Sequence, residues 1–178
     1  MTRILGLDVG DKTLGVAVSD ELGLTAQGVT VHRRSSLADD MAFLREMLAR
    51  HEIAAIVVGL PKNMDGSLGP QAQKTLAFIE RLQRGCAVPV LVWDERLTTQ
   101  AAERVLLEAN TSRRRRKQVR DRLAAQLILQ SYLEWRTRHP SDPLPRHGQI
   151  SPSSVRSSPE DKTTESEHDD MWQPDADH

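Results

Sequence analysis

Two short runs, AAIVVGL at 54–60 and VPVLVW at 88–93, contain no charged residue and are too short for buried helices. Unbroken apolar runs of this length mark strands covered on both faces, as in parallel sheets, not strands with one wet side. Between them Ala72, Leu76, Ile79 and Leu82 recur at helical spacing, so a helix over about 71–84 links the two strands. A helix that joins two parallel strands is a crossover unit, and its hand is fixed.

The segment ahead of this unit has a different period. Residues 4–9 and 14–19 are apolar runs separated by Gly10-Asp11-Lys12, which predicts an antiparallel hairpin, with a third strand over 25–32. Leu37, Met41, Leu44 and Leu48 then give a helix, with Ser35 or Ser36 as its cap. After the second buried strand, Thr98 or Thr99 caps a helix carrying Ala101, Ala102, Val105, Leu106 and Ala109. An Arg-rich interruption follows, and a last helix runs from about 118 to 138. The expected fold is α/β: a mixed five-stranded sheet, three antiparallel strands and then parallel crossovers, flanked by helices.

In such sheets, sites form beyond the carboxyl ends of the parallel strands. Asp8 stands near the end of the first strand, the loop GLPKNMDGSLG (59–69) follows the fourth, and DERLTT (94–99) follows the fifth. Topology alone therefore brings Asp8 and Glu95 to one edge. Asp121 shares a helix face with Ala124, Ala125, Ile128 and Tyr132, the face expected to pack on the sheet. Carboxylates gathered in a partly buried place repel one another unless protonated, paired or bridged by a cation. Oxygen ligands without His or Cys select a hard ion, Mg²⁺ or Mn²⁺.

Charge is divided along the chain. The overall formal charge is −1, but residues 139–178 hold nine acids against three cations, which leaves 1–138 at +5. That final segment has six of the nine prolines and few aliphatic residues, so it reads as a disordered acidic tail, with its histidines solvated, behind a single folded domain over 1–138. One cysteine, Cys86, excludes an internal disulfide. No apolar run approaches the length that spans a bilayer, and the expectation is a cytoplasmic protein without membrane contact. Acid-held metal in a positively charged body points to phosphate chemistry.

At these residues the resemblance is specific. GLDVGDKTLGVAVSD, VVGLPKNMDGSLGPQA, WDERLTTQAAERVLLEA and RKQVRDRLAAQLILQSYL, in that order, resemble the signature segments of the YqgF family, Holliday-junction-resolvase-like proteins also described as pre-16S rRNA nucleases. The likeness spans essentially all of 1–138 and leaves the tail outside. It implies a ribonuclease H-like fold and a divalent-metal nuclease that matures the 5′ end of 16S rRNA in the bacterial cytoplasm. It also implies that Asp8, Glu95 and Asp121 carry catalysis with one or two metal ions, Asp8 as the bridging ligand. Asn110 stands where relatives often have Gly, and Asn tolerates the same left-handed cap.

Candidate phosphate contacts are Lys12, Lys62, Asn63, Arg96 and the run Arg113, Arg114, Arg115, Arg116, Lys117. Each has a plainer reading: a solvated turn for Lys12, loop structure for Lys62 and Asn63, an ion pair with a nearby acid for Arg96, and a solvated face for the run. Asp94 reads as structural, because neighbours on an extended segment point to opposite sides. Trp93, Tyr132 and Trp135 read as core, and His32 and His51 show no partner pattern. The glycines around Asp8, Gly6 and Gly10, are expected to leave room for metal and a phosphate backbone.

Three functional alternatives accompany the RNA nuclease. A resolvase acting on DNA junctions would need a symmetric dimer; no dimerisation element is evident, so a monomer or weak dimer is expected. An actin-like ATPase, whose phosphate hairpin GLDVGDKTLGVAVSD (6–20) also resembles, needs two domains around its nucleotide. A non-catalytic role alongside ribosome-assembly or transcription factors completes the set.

Overall fold

The computed structural model describes residues 3–97 and 113–140. Strands β1 (Arg3–Val9), β2 (Thr13–Ser19), β3 (Ala26–Arg33), β4 (Ile53–Leu60) and β5 (Val90–Asp94) form one sheet in the order β3-β2-β1-β4-β5. The first three pair antiparallel, whereas β1 with β4 and β4 with β5 pair parallel. Helix α1 (Leu37–Arg50) precedes β4 and α2 (Pro70–Gly85) precedes β5; α3 (Arg113–Arg138) closes the described fold.

Alternation along each strand divides the core in two. Leu5, Leu7 and Val9 of β1, Leu14, Val16 and Val18 of β2, and Ile56 and Val58 of β4 pack with Met41, Leu44, Phe78, Ile79 and Leu82 on the side of α1 and α2. The intervening residues Ile4, Ala17, Ala55, Val57, Leu91 and Trp93 pack against Ala125, Ile128, Leu129, Tyr132 and Leu133 of α3. Each internal strand is thus covered on both faces, the condition its unbroken apolar sequence anticipates.

Helix α3 lies unusually close to the sheet because glycine occupies the positions beneath it. A Cβ on Gly15 would fall 2.1 Å from the Asp121 carbonyl oxygen, and one on Gly6 would fall 2.7 Å from Leu129 Cβ. Neither contact is possible between real atoms. Gly6 therefore makes room for the helix, not for metal, and Gly10 serves the hairpin turn, its N–H donating to the Thr13 carbonyl at 2.9 Å.

Several element boundaries differ from expectation. Ser36, not Ser35, caps α1, its hydroxyl accepting from the Asp39 N–H at 3.1 Å. Helix α3 begins at Arg113, five residues early, so the basic run is helical and not an interruption. Arg and Lys are good helix formers and no Gly or Pro breaks the segment, which is the physical reason. The helix expected after Thr98 or Thr99, Asn110 and the tail beyond Pro140 lie outside the described residues. His139 is not simply solvated: it stacks on Trp135 at 5.1 Å between ring centroids and donates its backbone N–H to the Trp135 carbonyl. Trp93 and Tyr132 are core residues in edge-to-face contact. No helix among the described residues is long and apolar enough to cross a membrane.

Candidate active site

The strand alternation that sends Leu7 and Val9 towards α1 and α2 turns Asp8 to the opposite face, under α3. Asp8 is in register with Gly15 of β2, the residue on which the Asp121 backbone rests. The missing side chain at position 15 thus lets the helix carry its acid down beside Asp8. From the other flank, Glu95 opens a single 3₁₀ turn at the end of β5 (Glu95–Leu97), one residue past Asp94. A Cβ on Gly59 of β4 would stand 2.7 Å from Glu95 Oε1 and 2.5 Å from Ile128 Cδ1, so a second glycine admits this carboxylate under the same helix.

The three acids form one electrostatic unit. Burial, and then the Asp121 charge, push the Asp8 carboxyl up to about 6, against a small opposing pull from Arg120. Burial, then Asp8, then Asp94 push Glu95 up to about 7. Asp121 is buried, and its Oδ2 accepts a hydrogen bond from the Thr13 hydroxyl at 2.8 Å. Asp8 and Glu95, which hold protons because they lie close to other carboxylates out of water, form with Asp121 a donor set matched to a hard divalent cation, whose charge would remove that repulsion.

Asp94, whose charge also acts on Glu95, is held by a network of cations. It pairs with Lys62 Nζ at 3.3 Å and with Arg96 at 2.8 Å, and Lys62 is nearly inaccessible, with 8% of its side chain exposed. Arg96 thus takes the local ion pair. Asn63 donates to the Ser67 hydroxyl at 2.7 Å, Asp65 accepts from the Ser67 N–H at 2.9 Å, and Arg96 Nη1 reaches the Met64 carbonyl at 3.5 Å. The β4–α2 loop is therefore a braced turn fastened to the end of β5. Lys12 is exposed at the tip of the β1–β2 hairpin, where its carbonyl accepts from the Arg34 N–H. The backbone of Arg113 to Lys117 occupies the first turns of α3, upstream of Asp121 on the same helix.

Sequence reasoning missed Thr13, Gly15 and Gly59. A signal was available for the glycines: both interrupt apolar strands at positions facing the helix that carries an expected ligand.

A profile of the RuvX family, described as Holliday junction resolvase and also known as YqgF, matches residues 2–135. The chain belongs to this family. Among its relatives, a protein of Moorella thermoacetica named "Putative pre-16S rRNA nuclease" is 60% identical over 132 residues, covering 74% of this chain and 94% of the relative. A protein of the same name from Symbiobacterium thermophilum is 56% identical over 140 residues, covering 79% and 97%. Among solved structures, T. thermophilus RuvC in complex with Holliday junction substrate aligns over 77% of this chain and 98% of its own, with a TM-score of 0.52 and 22% identity. That likeness establishes the ribonuclease H-like fold, and membership of RuvX places the chain among nucleases.

Proposed function

We propose that this RuvX protein is a divalent-metal phosphodiesterase of the cytoplasm that matures the 5′ end of pre-16S rRNA, with Asp8, Glu95 and Asp121 as its metal-holding and catalytic residues. The observation that carries this reading is the elevation of Asp8 and Glu95 by burial and by neighbouring carboxylates, at a sheet edge where Asp121 adds a third acid. One or two bound Mg²⁺ or Mn²⁺ ions would supply an activated water and neutralise charge on the phosphate during an in-line displacement.

The chain's own residues do the rest. Asp8, on a central strand, would hold the ion from the most rigid position of the three. Thr13 orients Asp121 by donating to Oδ2, while Oδ1 lies 3.9 Å from Arg120 Nε. Lys12, exposed on the hairpin tip, is the candidate phosphate contact of this group, whereas Lys62, Asn63 and Arg96 act by holding the β4–α2 loop in place through their contacts with Asp94 and Ser67. The run Arg113, Arg114, Arg115, Arg116, Lys117 precedes Asp121 on the same helix and would follow the sugar-phosphate backbone towards the acids. The names of the closely similar relatives favour RNA. The description of the family favours the second reading, a resolvase of four-way DNA junctions.

The test offers the purified protein a pre-16S 5′-end RNA and a four-way DNA junction side by side, with Mg²⁺, Mn²⁺ or chelator, beside Asp8→Asn. RNA cleavage that needs the ion and Asp8 supports the first reading. Cleavage of the junction alone replaces it with the second. Undiminished cleavage by Asp8→Asn overturns the acid-metal assignment, and cleavage of neither substrate favours a binding role with ribosome-assembly or transcription factors.

A further inference from the structure

The other face of the sheet holds a cluster that the nuclease reading does not use. His32, near the end of β3, pairs in register with Leu14, whose side chain belongs to the core under α1. The imidazole lies flat on Phe43 of that helix, with centroids 4.2 Å apart and planes 9° apart, so its orientation is fixed. Its Nε2 is directed at the first turn of α1, 3.3 Å from Asp39 Oδ2 and 3.2 Å from Asp40 Oδ1.

Three observations mark these atoms as metal ligands. The Asp40 side chain is 1% exposed, and its Oδ1 and the buried Nε2 of His32, 3.2 Å apart, have no hydrogen-bond partner outside this cluster. The remaining carboxylate oxygen of Asp40 accepts from Arg34 Nε at 2.8 Å, which orients that acid as a second-layer group orients a metal ligand, and Asp39 Oδ2, the oxygen that faces His32, also accepts from the Ser35 hydroxyl at 2.8 Å. Thirdly, the spacing fits. Nitrogen and oxygen ligands about 2.0–2.2 Å from a tetrahedral zinc ion stand roughly 3.3–3.5 Å apart, close to the two separations observed. All three ligand atoms lie within 4.8 Å of one another.

We propose that His32, Asp39 and Asp40 form a binding site for a borderline divalent transition ion of the zinc class, with water completing the shell on the exposed side of Asp39. One nitrogen ligand with two carboxylates suits Zn²⁺ or Co²⁺ better than Mg²⁺. The ion ties edge strand β3 to the start of α1 across the short connection between them. It is a structural staple on the face of the sheet opposite Asp8, and it stands independently of the nuclease reading.

The test uses the full chain carrying Asp8→Asn, Glu95→Gln and Asp121→Asn, which disables the other acidic cluster, titrated with Co²⁺ and followed by visible ligand-field absorption and by melting temperature. One equivalent should bind with a raised melting temperature, and Zn²⁺ should displace the cobalt spectrum. Adding His32→Gln should abolish both signals, and adding Asp39→Asn, at an exposed position, should weaken binding at least about tenfold. Should His32→Gln disturb folding in the metal-free circular dichroism spectrum, Asp39→Asn decides. Absence of binding, or binding indifferent to Asp39→Asn, overturns the site and leaves an ordinary histidine–carboxylate pair.

Discussion

Replacing Asp8 by Asn should stabilise the protein when divalent ions are removed, although it should abolish activity. The folded Asp8 carboxyl holds its proton up to about pH 6, against 3.8 without the fold. At about pH 3, well below the unfolded value, it is protonated in both states and imposes almost no penalty. As pH rises, the unfolded chain ionises first, and the stability contribution is lost progressively until the folded pKa is passed. A gap of this size between the folded and unfolded carboxyl corresponds to about 3 kcal/mol at pH 8. For a domain near this size that amounts to roughly 6–12 °C in melting temperature. Glu95, raised to about 7 with Asp8 as its second cause, should relax in the same variant, so the two effects overlap and do not simply add. The assay is thermal unfolding in EDTA, wild type against Asp8→Asn, from pH 3 to 8. The curves should nearly meet at pH 3, separate in favour of the variant between about pH 4 and 6 and stay apart above that, and millimolar Mg²⁺ at neutral pH should favour wild type instead. Equal or lower melting of Asp8→Asn in EDTA at pH 8 would refute the electrostatic account of the site.

Divalent-ion affinity should rise steeply as pH increases from about 5 to 7 and level off above that, because the ion must displace the protons that Asp8 and Glu95 keep; calorimetry at pH 5, 6, 7 and 8 measures this directly. Gly15→Ala should lower stability by about 1–3 kcal/mol in urea unfolding and lower activity further, since the new methyl must displace the Asp121 backbone. Asp94→Asn should lower stability by about 2–3 kcal/mol by stranding Lys62, and Asp94→Asn with Lys62→Met should recover most of it; a double-mutant cycle reads the coupling. Deleting residues 139–178 should tighten nucleic-acid binding at low salt and change nothing at high salt, as expected if the acidic tail competes for the basic run.

Much of the fold is legible in the sequence because it rests on periodicity. The apolar runs at 54–60 and 88–93 require two-sided burial, and that requirement leads to the parallel crossovers and to one edge for Asp8 and Glu95. Asp121 is legible because Ala124, Ala125 and Ile128 show which way its helix faces. What escapes is three-dimensional complementarity. Gly6 looks like a gap beside a functional acid, and only the packing shows that Leu129 fills it. His32 has no ligand spacing along the chain, since its partners Asp39 and Asp40 reach it across the turn from β3 into α1. The start of α3 escapes for another reason: concentrated charge resembles a break, whereas local propensity continues the helix.

The closeness of Asp121 to Asp8 depends on an atom that is not there. Most site geometries can drift, because a larger side chain shifts a ligand slightly and later changes correct it. At position 15 the smallest possible enlargement already meets a main-chain oxygen at 2.1 Å, so there is no graded intermediate between a seated helix and a displaced one. Variation at this glycine should therefore behave as a step, and revertants should arise at residue 15 itself, not among the neighbours of α3.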